Sequence, residues 1–152
     1  MLSCSYEDPM LTQAEADLLI AAPKKFVRPF PITIPPGADE THELVSHDNR
    51  EKFLLDVARG TIRLSKIKLQ NRVRTVYVLA RLDVDGAPHT NPDGSKVAGT
   101  HLHRYREGFG DKWATPVDPT TFSDTSDLRR TFEQFLEYCS VTESPPFQGS
   151  IE

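Results

Sequence analysis

Val76, Val78, Ala80, Leu82 and Val84 recur at every second position, and Asp85-Gly86 closes the run. Side chains of an extended strand alternate between its two faces, so this spacing lines five apolar groups along one side. Tyr77 and Leu79 make the other side partly apolar, as expected of a strand inside a sheet. Shorter runs of the same character precede it: Leu44-Val45, then Phe53 to Ala58 closed by Arg59-Gly60. Ile62 and Leu64 alternate in one phase and Ile67 and Leu69 in the other, which predicts a bulge near Ser65-Lys66, with a turn at Gln70-Asn71. Strands joined by such short turns pair antiparallel, because parallel neighbours need a long crossover.

Two helices bracket these strands. Thr12 and Glu15 have the spacing of a capping box, Leu18, Leu19 and Ala22 follow, and Pro23 ends the turn, which predicts a helix over 12–22. Leu128, Phe132, Phe135, Leu136 and Cys139 recur at helical spacing behind cap candidates in 123–127, which predicts a helix over 125–140. The expected fold is therefore α+β, an antiparallel β-sheet of about 4–6 strands with an N-terminal and a C-terminal helix on one face or at its ends. At 152 residues the chain reads as a single domain, 1–152, with 1–10 and 143–152 as loose termini. The proline-rich stretch up to Pro36 reads as an extended connector, and residues 87–99, broken by Pro88, Asn91-Pro92 and Asp93-Gly94, as a long loop.

A net charge of −4 with 26% charged residues demands neither a nucleic acid nor a membrane partner. No stretch reaches the roughly 20 apolar residues of a membrane span, and no basic segment leads into an apolar run at the N-terminus. Cys4 and Cys139 are too few and too far apart for a disulfide framework, and Cys139 lies in an apolar stripe as a small buried side chain. A cytoplasmic setting is the expectation.

Chemistry concentrates in Gly99-Thr-His-Leu-His-Arg-Tyr-Arg-Glu-Gly-Phe-Gly-Asp-Lys-Trp113. As a strand it puts His101, His103, Tyr105 and Glu107 on one face. Upstream, residues 59–81 hold Arg59, Arg63, Lys66, Lys68, Arg72, Arg74 and Arg81 with no Asp or Glu. Imidazoles exchange protons near neutrality, so His101 and His103 could serve as acid and base on a phosphodiester, with Tyr105 assisting and no cofactor. Arg63, Lys68, Arg72, Arg74, Arg104, Arg106 and Lys112 would hold phosphate and Trp113 would stack on a base. RNA or a nucleotide is the partner this reading expects, and a metal-independent endoribonuclease of the toxin or phage-conflict kind is its activity. A second reading makes the same face a protein-binding surface around Phe109 and Trp113, as in an inhibitor or accessory of a phage or defence system. A third makes His-x-His a metal site. With Glu107 four residues on, the run is similar to the first metal-binding motif of cupins. A cupin centre also takes a later histidine, and none follows His103, so His42, His47 or His89 would have to approach from upstream. A fourth reading has the two imidazoles packing or bonding backbone groups. His89, on the long loop, reads first as an exposed loop histidine, and could otherwise close over the strand face.

Arg50-Glu-Lys-Phe-Leu-Leu-Asp-Val-Ala-Arg-Gly60, Leu64-Ser65-Lys66, Leu82-Asp83-Val84-Asp85-Gly86 with Pro88-His89 and Asn91-Pro92-Asp93-Gly94, and the run from His101 to Ala114 resemble a family of small bacterial and phage proteins of unknown function. The resemblance spans about 45–140. It implies a microbial, cytoplasmic setting and brings no activity with it.

Overall fold

The computed structural model describes residues 10–143, so the expectations for 1–9, with Cys4, and for 144–152 lie outside the described residues. The chain runs α1 (Gln13–Ala21), β1 (Lys24–Phe26), β2 (Asp39–Ser46), β3 (Lys52–Arg59), β4 (Ile67–Val73), β5 (Tyr77–Val84), β6 (His89–Thr90), β7 (Lys96–Val97), β8 (His101–Arg104), β9 (Ala114–Pro116), α2 (Leu128–Tyr138) and β10 (Val141–Glu143). Eight strands form one sheet in the order β10-β1-β2-β3-β4-β5-β8-β9, and β6 and β7 form a separate two-stranded ribbon. Every pairing in the large sheet is antiparallel except that of β1 with β10. The fold is α+β as expected, with more strands than the expected 4–6. The excess is β1, β9 and β10, three residues each and too short for alternation to show. Glu143, expected in the loose terminus, lies in β10 opposite Lys25.

Register fixes which side of the sheet is dry. Leu44 lies opposite Phe53, Phe53 opposite Val73, Val57 opposite Leu69, and Leu69 opposite Leu82. Opposed residues share a face, and these pack with Ala16 and Ile20 of α1 and Phe132, Phe135 and Leu136 of α2 into one buried cluster. The other face carries Thr41, Asp56, Gln70, Arg81 and His103, one polar row across five strands. The capping box at Thr12 and Glu15 is present, and Asp127 caps α2 by accepting from the Arg130 amide. Within α1 the buried residues are Ala16 and Ile20, while Leu18 is exposed. No helix among the described residues is long and apolar enough to cross a membrane.

The hairpin between β4 and β5 corrects three expectations. Its bulge lies where Leu79 is inserted opposite Asn71 and Arg72, not at Ser65-Lys66. The inserted residue turns both Leu79 and Ala80 into the core and leaves Val76 67% exposed. Gln70 and Asn71 lie inside β4, and the turn is Arg74-Thr75, both at positive φ. Ile62 and Leu64 belong to the loop before β4, with Ile62 96% exposed.

One buried charge ties the helices to the sheet. Lys24 Nζ donates to the carbonyls of Ile20, Ala22 and Cys139 at 2.9, 3.0 and 2.6 Å, so a single ammonium caps the C-terminal ends of both helices. Burial pushes its pKa down to about 8 and pushes the neighbouring Cys139 thiol up to about 12.

Candidate metal centre

Strand β8 pairs with β5 so that Arg81 is opposite His103 and Asp83 is opposite His101. These four side chains therefore gather on the sheet face away from the helices, while Leu102 and Arg104 lie on the helix side with Leu82 and Ala80. Asp83 Oδ2 is the point of convergence. It lies 3.2 Å from His101 Nε2, 3.3 Å from His103 Nε2 and 3.0 Å from Arg81 Nε.

Each imidazole is fixed from behind. Nδ1 of His101 donates to the Ala98 carbonyl at 2.6 Å, and Nδ1 of His103 donates to the Asp111 carbonyl at 2.8 Å. A carbonyl only accepts, so Nδ1 of each ring carries a hydrogen, and Nε2 is the nitrogen turned to Asp83. Arg81 Nη2 stands 2.9 Å from His103 Nε2, and its Nη1 is 3.6 Å from the Asp111 carboxylate. His101 and His103 are 2% and 1% exposed, whereas Asp83 keeps a partly open side chain. Burial by itself would raise the Asp83 carboxyl; the hydrogen bond from His103 and the charges of Arg81, His101 and His103 outweigh it and hold the pKa at about 2.

The segment expected to be a loop at 87–99 carries the β6–β7 ribbon, and the ribbon brings a third imidazole to the cluster. The ring of His89 lies 4.7 Å from that of His103 and 5.7 Å from that of His101, centroid to centroid, and its Nε2 donates to the Lys112 carbonyl at 2.8 Å. The ribbon lays His89, expected from the sequence as an exposed loop histidine, against the strand face. Asn91 pins the ribbon: its side chain donates to the Ala114 carbonyl and accepts from the Ala114 amide, which imitates one more strand residue beside β9. At the root, the Gly86 amide donates to the Gly99 carbonyl at 3.0 Å. A Cβ on Gly99 would meet the Gly86 oxygen at 2.0 Å, so only glycine lets the two chains approach.

The remaining residues singled out from the sequence scatter. Tyr105 lies beyond the end of β8, buried, with its hydroxyl on the Leu11 carbonyl rather than beside the two histidines. Glu107 accepts from the Gln13 amide at the start of α1. Arg63 pairs with Asp85, Arg72 with Asp56 and Arg74 with Glu51. Arg104 pairs with Asp17 on the helix side, Arg106 lies 4.2 Å over the Trp113 ring, and Lys68 sits opposite Asp83 in register. The backbone of Lys112 serves His89. Asp83, Arg81 and Asn91 were missed as site residues. The signal for the first two was available: if Ala80, Leu82 and Val84 face the core, Arg81 and Asp83 face the opposite side, where an adjacent His-x-His strand also presents its histidines.

The donor set, two imidazole Nε2 atoms and a carboxylate oxygen within 4.8 Å of one another, suits a divalent transition metal. Two atoms held about 2.0–2.1 Å from a tetrahedral ion stand about 3.3 Å apart, and charge-assisted N–H···O bonds run nearer 2.7–2.9 Å. The 3.2 and 3.3 Å from Asp83 Oδ2 to the two Nε2 atoms lie near the former, and with the donor set spanning up to 4.8 Å an ion would draw the two imidazoles together. Proton exchange with a substrate needs a ring nitrogen facing outward, and here Nδ1 of both rings is held by a carbonyl and Nε2 by Asp83.

No curated protein and no solved structure matches the chain. A family model matches residues 11–141, nearly the whole described chain, and the protein belongs to that family, a family of unknown function (DUF6978).

Proposed function

We propose that this protein binds a divalent transition metal, zinc in character, through Asp83 Oδ2, His101 Nε2 and His103 Nε2. One observation carries the reading: the two imidazoles are locked by Nδ1 to backbone carbonyls with both Nε2 atoms turned onto a carboxylate. A ring N–H held by a backbone carbonyl is the contact that orients metal-ligating histidines. The ion would supply a Lewis acid on the outer face of the sheet, reached past the partly open Asp83 side chain.

A second reading rests on a different contact. Arg81 Nη2 at 2.9 Å offers a hydrogen bond to the His103 lone pair that a metal would use, which makes the cluster a closed Arg–Asp–His–His network that stiffens the sheet edge. The two readings separate in one experiment. Chelator-treated protein is titrated with Zn²⁺ by calorimetry and with Co²⁺ by absorption. The metal reading expects saturable binding near one equivalent and a tetrahedral Co²⁺ spectrum, both lost in Asp83→Asn and His101→Gln while circular dichroism stays native. No saturable binding by folded wild-type protein, or binding that survives both substitutions, overturns it in favour of the network.

A further inference from the structure

On the helix side of β8, opposite the histidines, the sheet edge encloses a cavity of about 290 Å³. Its apolar walls are Leu102, Tyr105, Trp113 and Tyr138, and Gln13, Thr115 and the guanidiniums of Arg104 and Arg106 line it as well. The two guanidiniums differ. Arg104 is spent, with Nη1 donating to the Tyr138 hydroxyl at 2.9 Å and Nη2 to Asp17 at 3.1 Å. The Arg106 guanidinium sits 4.2 Å over the indole centroid of Trp113, and its charge also reaches the Asp93 carboxylate without a side-chain hydrogen bond to it among the described residues. A guanidinium stacked on an aromatic ring keeps its in-plane N–H fork free for a phosphate while presenting a flat surface for stacking. The indole N–H of Trp113 is likewise buried without an acceptor among the described residues.

We propose that this cavity binds a single nucleotide unit, with the base against Trp113, Leu102 and Tyr138 and the phosphate on Arg106. Aromatic walls take the base by stacking, as they do in single-strand recognition. The size falls at the low end of ligand pockets, enough for one nucleotide and too small for a run of them. A long strand is disfavoured for a separate reason. A tracked backbone needs a stripe of available cations, and Arg63, Arg72, Arg74 and Arg104 each pair with a carboxylate. Because the cavity and the histidine cluster lie on opposite faces of β8, the proposal stands whether or not a metal binds.

Trp113 is the only tryptophan, so its emission reports on this cavity. Full-length protein is titrated with the four 5′-mononucleotides, with nucleosides, with inorganic phosphate, and with a single-stranded RNA oligonucleotide bearing a terminal 5′-phosphate. The expected result is saturable quenching by at least one mononucleotide, with affinity at least tenfold weaker for the matching nucleoside and for phosphate alone. Arg106→Gln is expected to weaken mononucleotide binding about tenfold without changing the thermal midpoint. In Trp113→Phe, calorimetry replaces fluorescence and is expected to show weaker binding still present. If the phosphorylated oligonucleotide binds and mononucleotides compete with it, the terminal nucleotide of a strand is a source; if only mononucleotides bind, the source is the free nucleotide. No saturable response to any mononucleotide, or equal responses by wild type and Arg106→Gln, overturns the proposal.

Discussion

Asp83→Asn isolates the charge on which the histidine cluster depends. The substitution keeps the shape and one acceptor oxygen while removing the charge that Arg81, His101 and His103 all face. Folding lowers the Asp83 pKa from 3.8 to about 2. At 1.36 kcal/mol per unit that difference is about 2.4 kcal/mol, or about 2 kcal/mol once the part-open side chain is allowed for. The folded value lies below the unfolded one, so the unfolded chain takes the proton first as pH falls. The contribution is therefore complete above about pH 4 and disappears toward pH 2. Urea unfolding followed by circular dichroism, with chelator present, should show the variant about 2 kcal/mol less stable at pH 6 and nearly equal to wild type at pH 2. With free zinc at about a hundred times its Kd the wild type should gain about 2.7 kcal/mol more and the variant none. A deficit that stays constant from pH 6 to pH 2, or is under about 0.5 kcal/mol throughout, would refute the assignment of Asp83 as the charged centre of the cluster.

Other perturbations test the supports. Lys24→Met strands three main-chain carbonyls, two of them in buried contacts, and should cost about 3 kcal/mol, lowering the thermal midpoint by roughly 6–12 °C in calorimetry. An unchanged midpoint would mean that those carbonyls find other donors. Asn91→Ala removes both bonds to Ala114 and should cost about 2 kcal/mol, with faster hydrogen exchange over 89–97 than elsewhere; uniform exchange would count against local pinning of the ribbon. Gly99→Ala forces the Gly86 and Gly99 chains apart and should cost about 2–4 kcal/mol, whereas Gly94→Ala, with open space around it, should cost less despite its positive φ. Equal effects in chemical denaturation would argue against steric contact at the ribbon root. Arg72→Gln should change stability by under about 1 kcal/mol, because its Asp56 partner is near the surface and Gln70 also bonds that carboxylate.

What the sequence revealed and what it hid divide by range. The capping box of α1, the amphipathic spacing of α2 and the alternation through β3 and β5 are local signals, and they placed both helices and the central strands. The three-residue strands β1, β9 and β10 carry no pattern of their own and exist because a neighbour supplies hydrogen bonds. The bulge at Leu79 depends on the partner strand, so the phase change between Leu64 and Ile67 read as a bulge when it marks only the end of a loop. His101 and His103 stood out as a pair, but their partner Asp83 is nearly twenty residues upstream and joins them only through the β5–β8 register.

The cation-rich stretch shows the same limit on the charge side. Seven basic residues without a carboxylate between 59 and 81 read as an anion-binding face. In an antiparallel sheet each residue's nearest neighbours lie on adjacent strands rather than along its own. Asp56 and Glu51 come from β3 and the turn before it, and Asp85 from the end of β5, and they neutralise Arg72, Arg74 and Arg63 from across the ladder. Polarity counted along the chain therefore overstates the positive field. Affinity for an anion then depends on the few cations that no carboxylate binds directly, and Arg106, over an aromatic ring beside a cavity and facing only the Asp93 charge at longer range, is better placed for it than any residue of the basic stretch.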